Sequence, residues 1–358
     1  MCKGASAAAV AAAVSILMAR AAAAPGGGVQ VTPNEAARRV DVTIGGQPFT
    51  SYIWPERLTK PVLYPIRDAR GTLVTRGWPL DPRPGERTDH PHHVGLWLTY
   101  ESVNGVDFWN NSDAIKREDA AKMGTIVHRR IVSAKSGTDR GELVTEMDWV
   151  LPGGKTILRE HTQFVFSGDA TTRTIDRTAT LSALDDRVVF QDQKDGFLGM
   201  RVARQLEQPS NTPEVYTDAA GRPTKVPVLD NTGVTGSYTS SEGKKGDDVW
   251  STRGRWTMLA GKIGDEPVTI AILDHPKNPG YPTYWHARGY GLFAANPLGQ
   301  KVFSKGRETL NFTLEPHASA TCRYRILILE GTPTPDRLDR EFNAFAAAQM
   351  SRVEGDEY

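Results

Sequence analysis

Apolar and polar residues alternate with a period of two along most of this chain, and Gly and Pro punctuate the alternating runs. Val40-Asp41-Val42-Thr43-Ile44 is followed by Gly45-Gly46 and then by Phe49–Trp54, which predicts a hairpin. Leu143–Val150 and Thr156–Phe166 flank Pro152-Gly153-Gly154 and predict a second. Arg173–Ala183, Val188–Gln191, Val268–Asp274, Leu292–Ala295, Thr309–Leu314 and Thr321–Leu329 continue the strand pattern. No amphipathic helices separate these strands, so antiparallel pairing is expected rather than βαβ units. The expected fold class is all-β, a large two-layered antiparallel β-sandwich.

Helical signals occur twice. A weak one covers Ala114–Lys122, after Asn110-Asn111-Ser112-Asp113. The stronger one covers residues 335–350. Thr334 can cap it, Pro335 suits the first helical position, and Asp336 complements the dipole. Leu338, Phe342, Phe345 and Met350 recur at helical spacing and are expected to pack on a sheet. The polar stretch Ser237–Asp248 reads as a mobile loop, and residues 25–38 as a flexible N-terminal segment. No linker divides the rest, so one domain over residues 39–350 is expected.

Residues 1–24 change the picture of where the protein works. Lys3 precedes the Ala-rich apolar run Ala5–Met18, and Ala-x-Ala sites precede Pro25, as in a secretory signal peptide. Export to a periplasm or beyond is expected. Cys2 would leave with the signal, so Cys322 would have no partner for an internal disulfide, and a zinc–thiolate site is excluded. No later segment approaches the roughly 20 apolar residues of a spanning helix. A net charge of +1 with both signs dispersed gives no nucleic-acid patch and no polybasic anchor. Nucleophile-elbow, phosphate-loop, dinucleotide and His-Glu-x-x-His motifs are absent.

The candidate chemistry begins at Asp89-His90-Pro91-His92-His93, which holds three of the eight histidines. Imidazole moves protons near neutral pH, binds metals and bonds to hydroxyls. In an extended stretch His90 and His92 point one way and His93 the other, so His90 and His92 could share a ligand or a transition metal. No other cofactor is expected. Asp107, Phe108 and Trp109 follow an Asn-Gly turn; Asp107 could orient a ligand and Trp109 could stack on a sugar. On the strand Thr156–Phe166, Arg159, His161 and Gln163 share one face, and Glu160 lies on the other with Leu158, Thr162, Phe164 and Phe166. His161 is a candidate ligand-binding residue. Glu160, on a mostly apolar face, would have a raised pKa and serve as a general acid or base. The alternative is a salt bridge to an arginine such as Arg159 or Arg177.

Asp195 sits in a polar loop before Gly196 and Gly199, with Arg201 just beyond, and is a further candidate acid. Asp274-His275-Pro276 echoes Asp89-His90-Pro91 and could face it across one cleft. Trp285, His286, Arg288 and Asn296 follow, offering stacking, proton transfer, anion binding and hydrogen bonding. His286 and Arg288 share a strand face, and Trp285 takes the other.

Asp89–Leu96, Asn104–Trp109, Asp195–Arg201, Asp274–Pro276 and Trp285–Gly299 together resemble the "PmoA-like" bacterial family, which carries a methane-oxygenase label. The resemblance runs from about Thr50 to Gly331. Val94 stands where that family usually has Arg, and Asp195-Gly196-Phe197-Leu198-Gly199 where it has an acid-Gly-Gly-Leu-Gly run. The resemblance implies an exported β protein, similar in fold to the β-supersandwich of galactose mutarotases. The leading expectation is a carbohydrate-active enzyme, hydrolase, lyase or epimerase-like, acting on a sugar or other small molecule. His90, His93 and His286 would exchange protons, with Asp195 or Glu160 as carboxylate. His92, Asp107, Trp109, His161, Arg201, His275, Trp285, Arg288 and Asn296 would hold the ligand. The rivals are a non-catalytic glycan-binding protein and a metal-dependent oxidoreductase using His90 and His92.

Overall fold

The computed structural model describes Met1 and residues 27–353. Most of the expected leader lies outside the described residues. In chain order the strands are β1 (Val29–Asn34), β2 (Arg39–Ile44), β3 (Gln47–Ile53), β4 (Val62–Leu63), β5 (Leu96–Tyr100) and β6 (Thr125–Lys135). There follow β7 (Arg140–Val150), β8 (Thr156–Gly168), β9 (Thr172–Ala183), β10 (Val188–Phe190), β11 (Gly196–Arg201) and β12 (Ser237–Ser240). The last six are β13 (Trp256–Ile263), β14 (Glu266–Asp274), β15 (Tyr284–Arg288), β16 (Leu292–Asn296), β17 (Phe312–Leu314) and β18 (Ser319–Glu330). Helix α1 (Gln300–Phe303) is one turn, and α2 (Pro335–Val353) closes the described chain.

Two eight-stranded sheets run in the orders β1-β2-β3-β4-β5-β11-β16-β15 and β12-β13-β14-β18-β9-β8-β7-β6, and β10 and β17 form a small ribbon. Neighbouring strands pair antiparallel. The protein is therefore all-β, an antiparallel sandwich with a C-terminal helix. The expected hairpins form: Gly45 and Gly46, at φ +60° and +75°, supply the turn from β2 to β3. No helix of the described residues is long and apolar enough to cross a membrane.

Burial follows the period of two. Every second residue of β2 and β9 is buried, and these inward side chains meet in one core between the sheets, with Val40, Val42, Phe166, Ile175, Leu198 and Phe293 among them. The central strands behave differently. All residues of β5, β11 and β16 are buried, because Val62 of β4 and loops carrying Tyr64, Val94 and Trp109 cover the outer face of the first sheet. On the second sheet, Leu338, Phe342 and Phe345 of α2 cover Trp256, Leu273 and Leu327. The Thr334 hydroxyl accepts from the Arg337 N–H at the start of this helix. The side chain of Met350 lies outside the described residues.

Three expectations are corrected. Residues 29–34 are a strand, not a flexible segment: Val29 and Val31 enter the core, and Val29 also bonds to Gly137 through its backbone. Residues 114–122 form turns ending in a 3₁₀ turn at Ala120–Lys122, since this polar segment has no apolar stripe to bury. Ser237–Asp248 holds β12 and a 3₁₀ turn at Gly246–Val249, pinned by Tyr238 and Val249 in the core.

Glu160 is also corrected. It points from β8 into the core and is fully buried, so it lines no cleft. Its carboxylate accepts from Trp149 Nε1 (3.0 Å), the Thr162 hydroxyl (2.6 Å) and Arg177 (2.8 Å), which is the salt-bridge alternative. Arg177→Met is expected to destabilise the protein by about 3–5 kcal/mol, because it leaves a carboxylate unpaired in the core. Adding Glu160→Gln should restore part of that loss. Urea unfolding of the single and double variants measures both, and simply additive losses would show that the two side chains do not act as a pair.

Candidate functional site

The register of the first sheet decides which residues face the loops. Trp97, Gly199, Ala294 and His286 lie in one row across β5, β11, β16 and β15, and Arg201, Leu292 and Arg288 in the row two residues on. The alternate row of Leu98, Leu198, Ala295 and Trp285 faces the core. A Cβ at Gly199 would lie 2.6 Å from the Trp97 ring and 2.8 Å from that of Trp109. Only glycine lets these indoles lie against the sheet.

Asp89–His93 folds over this face as a turn. The His93 N–H bonds to the His90 carbonyl at 3.0 Å, and His90 adopts φ +44°. Positive φ is strained for a non-glycine residue, although His tolerates it better than most. Arg76, fully buried, holds the turn in place. It donates to the carbonyls of Asp89 and His90 (both 2.9 Å) and His93 (3.1 Å), and to the Asp89 carboxylate at 2.7 Å. Arg201 donates to the same carboxylate oxygen at 2.6 Å, and the other oxygen accepts from His90 Nδ1 at 2.7 Å. Burial alone would raise the Asp89 pKa; Arg201, the His90 bond and Arg76 outweigh it and hold the carboxyl well below its usual range. Asp89 is thus a carboxylate, His90 Nδ1 carries a proton, and in the neutral ring Nε2 carries the lone pair.

The turn corrects the extended geometry expected here. The His90 and His93 rings are parallel, 4.8 Å apart, and His92 meets His90 edge-on at 5.6 Å. Among the described residues no group of three or more His, Cys, Asp or Glu could hold a metal ion. The expected His90–His92 pair therefore gains no third protein ligand among the described residues. His93 is fully buried, and burial, then His92 and Arg201, press its pKa well below the usual value. Its Nδ1 accepts from Arg201 (3.4 Å), so its proton sits on Nε2, which has no partner. Burial and then Lys60 lower His92 in the same way. Lys60 is itself buried, 5.8 Å from the Trp97 ring, and burial brings its ammonium down to about 7 against the pull of Asp107.

A second acid–imidazole pair lies along the same sheet. His286 Nδ1 stands 3.7 Å from Asp195 Oδ1 without a hydrogen bond, while the ring bonds to the Lys194 carbonyl. Burial brings the His286 pKa down to about 4, with Asp195 opposing. Glu101 adjoins Asp195 where β5 ends and β11 begins, and burial, Asp195 and Asp107 raise its pKa to about 6. Tyr290 lies among both pairs. It stacks on His90 at 5.0 Å, Arg201 sits 5.0 Å over its ring, and its phenol feels Arg201, Arg288, Asp195 and Asp89. Burial raises the phenol to about 12.

Tyr290 also lines an open polar cleft of about 510 Å³, with Arg87, Gln208, Glu214, Trp250 and Arg288. Another cleft, of about 470 Å³, lies by Trp54, Lys60 and His128 and lacks the acid–imidazole pairs. The structure thus brings His90, His92, His93, Trp109, Asp195, Arg201, His286 and Arg288 to one face. Asp107 supports this face: its carboxylate accepts from the N–H groups of Trp109 and Asn110, both at 2.9 Å. Asn296 spends its amide on the carbonyls of Gln193 and Lys194 and on the N–H groups of Leu298 and Gly299, which fixes the Asp195 loop.

Glu160, His161, His275 and Trp285 are elsewhere. His161 is half-exposed on the outer face of the second sheet, 4.0 Å from Glu146. His275 packs edge-on against Phe345 of α2, and Asp274 bonds to Asn278 and the Thr283 N–H, so the two Asp-His-Pro elements share no cleft. Trp285 is in the core. Arg76, Lys60, Glu101 and Tyr290 were missed. Tyr290 follows Arg288 by two residues, and that proximity was the one signal available.

A family model described as "Family of unknown function (DUF6807)" matches residues 39–343. No curated protein matches the chain. Among solved structures it is similar to the galactosidase domain of the α-galactosidase–sucrose kinase AgaSK, at 9% identity and TM-score 0.40, over 84% of this chain and 42% of that one. It thus spans less than half the length of that protein. A galactose mutarotase-like protein from Clostridium acetobutylicum aligns at 9% identity and TM-score 0.39, over 85% of this chain and 99% of that one. Galactose 1-epimerase from Lactobacillus acidophilus aligns at 11% identity and TM-score 0.37, over 85% and 98%.

The buried imidazoles make stability depend on pH. His286 takes up a proton near pH 6.5 in an unfolded chain but only near 4 in the folded one. As pH falls through that interval the unfolded state binds more protons, and His286 alone removes on the order of 3 kcal/mol of stability. The thermal midpoint should fall steadily from pH 6.5 to 4, and His286→Gln should flatten the slope. An identical slope in that variant would place the titration on other groups.

Proposed function

The chain belongs to the DUF6807 family, whose function is unknown, and from its site we propose that it is a carbohydrate-active enzyme. The observation that carries this reading is the Asp89–His90 pair, oriented by two buried arginines and stacked on Tyr290, which lines the open polar cleft. Asp89 fixes the tautomer of His90 and stabilises the imidazolium that forms when Nε2 takes a proton. His286, neutral at physiological pH and with a free Nδ1 beside Asp195, is the second proton-exchanging group. Tyr290 and Trp250 offer faces for the apolar side of a sugar ring, and Gln208, Glu214 and Asp247 offer partners for hydroxyls. His93, Trp109 and Arg201 position these groups. Acid–base chemistry of this kind serves epimerisation, lyase or hydrolase reactions. The Ala-rich leader pattern of residues 1–24 supports export as part of the proposal.

Purified protein is to be incubated with a panel of monosaccharides and oligosaccharides in D₂O while NMR reads ligand broadening, product and deuterium uptake. At least one sugar should bind and react. His90→Asn and His286→Asn should each lower turnover by roughly 10²–10⁴-fold with little change in binding or thermal midpoint. Wild-type rates in both variants would sink the proton-transfer roles. Binding without product would favour a glycan-binding protein, and no binding by any sugar would overturn the proposal.

A further inference from the structure

We propose that the natural ligand of this cleft is an acidic sugar, a uronate, whose carboxylate is taken by Arg288. The inference rests on the sugar reading above and narrows it to one chemical class.

The two arginines that line the cleft differ in how their charge is met. Arg87 is neutralised within the protein, by Glu207 at 2.6 Å and Glu214 at 2.9 Å. Arg288 has no carboxylate partner and no side-chain hydrogen bond among the described residues. Its guanidinium lies instead against two rings, 5.3 Å from Trp250 and 5.9 Å from Tyr290. These ring contacts keep the charge at the cleft wall and leave its N–H groups for a ligand. The planar guanidinium fork matches a carboxylate, which accepts two parallel hydrogen bonds.

The remaining groups of the cleft fit the rest of such a ligand. Asp247, the other acid in the wall, accepts from Gln208 at 2.8 Å, and together they present an acceptor and a donor to sugar hydroxyls. Arg288 stands two residues from His286 on the same strand face and leans on the Tyr290 ring that stacks on His90. A carboxylate on Arg288 would therefore lie at the wall formed by Tyr290, whose ring stacks on His90.

The experiment compares D-glucuronate and D-galacturonate with D-glucose and D-galactose by calorimetric titration of the full chain. The uronates should bind at least ten-fold tighter than their neutral parents, with a preference that weakens as salt is raised. Arg288→Gln should abolish the preference, bringing uronate affinity down to that of the neutral parents measured on the same variant. Arg288→Lys, which keeps the charge without the fork, should fall between. Neutral sugars that bind as well as uronates, or a preference that survives Arg288→Gln, would overturn this inference and leave the sugar reading standing. No binding by any of these sugars or by the wider panel would overturn both. The uronate preference of the unaltered protein decides the matter if the variants do not fold.

Discussion

The site depends on one buried cation. Arg76 has no exposure to solvent, and its guanidinium is spent on the backbone and carboxylate of the Asp89–His93 turn. A charge in that position is tolerable only because Asp89 neutralises it and carbonyl oxygens solvate it. The same bonds make the turn possible. His90 adopts a left-handed backbone that a histidine avoids, and its carbonyl and that of His93 both converge on Arg76. The strain is over-determined by hydrogen bonds from a side chain that cannot move without leaving a charge unpaired. Arg201 repeats the logic from the sheet side, meeting the same Asp89 oxygen. Two cations on one oxygen leave the other free for His90, which is how a surface imidazole acquires a fixed tautomer.

Such a turn can only be built over a sheet that is covered on both faces. A typical half-solvated antiparallel sheet would present polar side chains to water where β5, β11 and β16 present Trp97, Gly199 and Ala294 to the loops. The glycine and alanine admit the Trp97 and Trp109 indoles, the indoles form a floor under His93, and His93 lies parallel to His90. The imidazoles of His92, His93 and His286 are therefore dehydrated and neutral, in contrast to the carboxylate of Asp89, which its two arginines keep charged. The site keeps its bases and its counter-charge apart by burial and pairing rather than by distance.

Much of this architecture was legible in the chain. The period-two pattern located most of the strands, and strand parity placed His286 and Arg288 opposite Trp285, as the register shows. The histidine cluster meets Arg201 at Asp89, and Asp195 lies beside His286 on the same sheet. Parity alone says which residues share a face, but not which face of which sheet is the core. Glu160 and His286 both sit on strands among apolar neighbours. Only the sandwich assigns Glu160 to the interior with Arg177 and His286 to the outer face with Asp195. Arg76 was illegible for a related reason. It lies between strands in an irregular segment, and most of its partners are backbone carbonyls, which leave no trace in side-chain identities. His275 shows the converse error, in that an Asp-His-Pro echo has no geometric meaning until the fold says where each copy lies.

The contrast among the arginines carries the chemistry one step further. Arg76, Arg87, Arg177 and Arg201 each have carboxylates to neutralise them, and each is buried. Burial demands that pairing, because an unpaired guanidinium in the interior would cost several kcal/mol. Arg288 stands at the cleft wall, where water pays that demand, and the protein leaves it on two aromatic rings without a counter-ion. Water also makes a rim charge cheap to keep and quick to exchange. A cation held against rings but not neutralised is suited to an incoming anion, since binding then replaces water and disrupts no internal pair. Arg76 and Arg201 shape the histidine turn, and the half-buried Arg288 is left to meet the ligand.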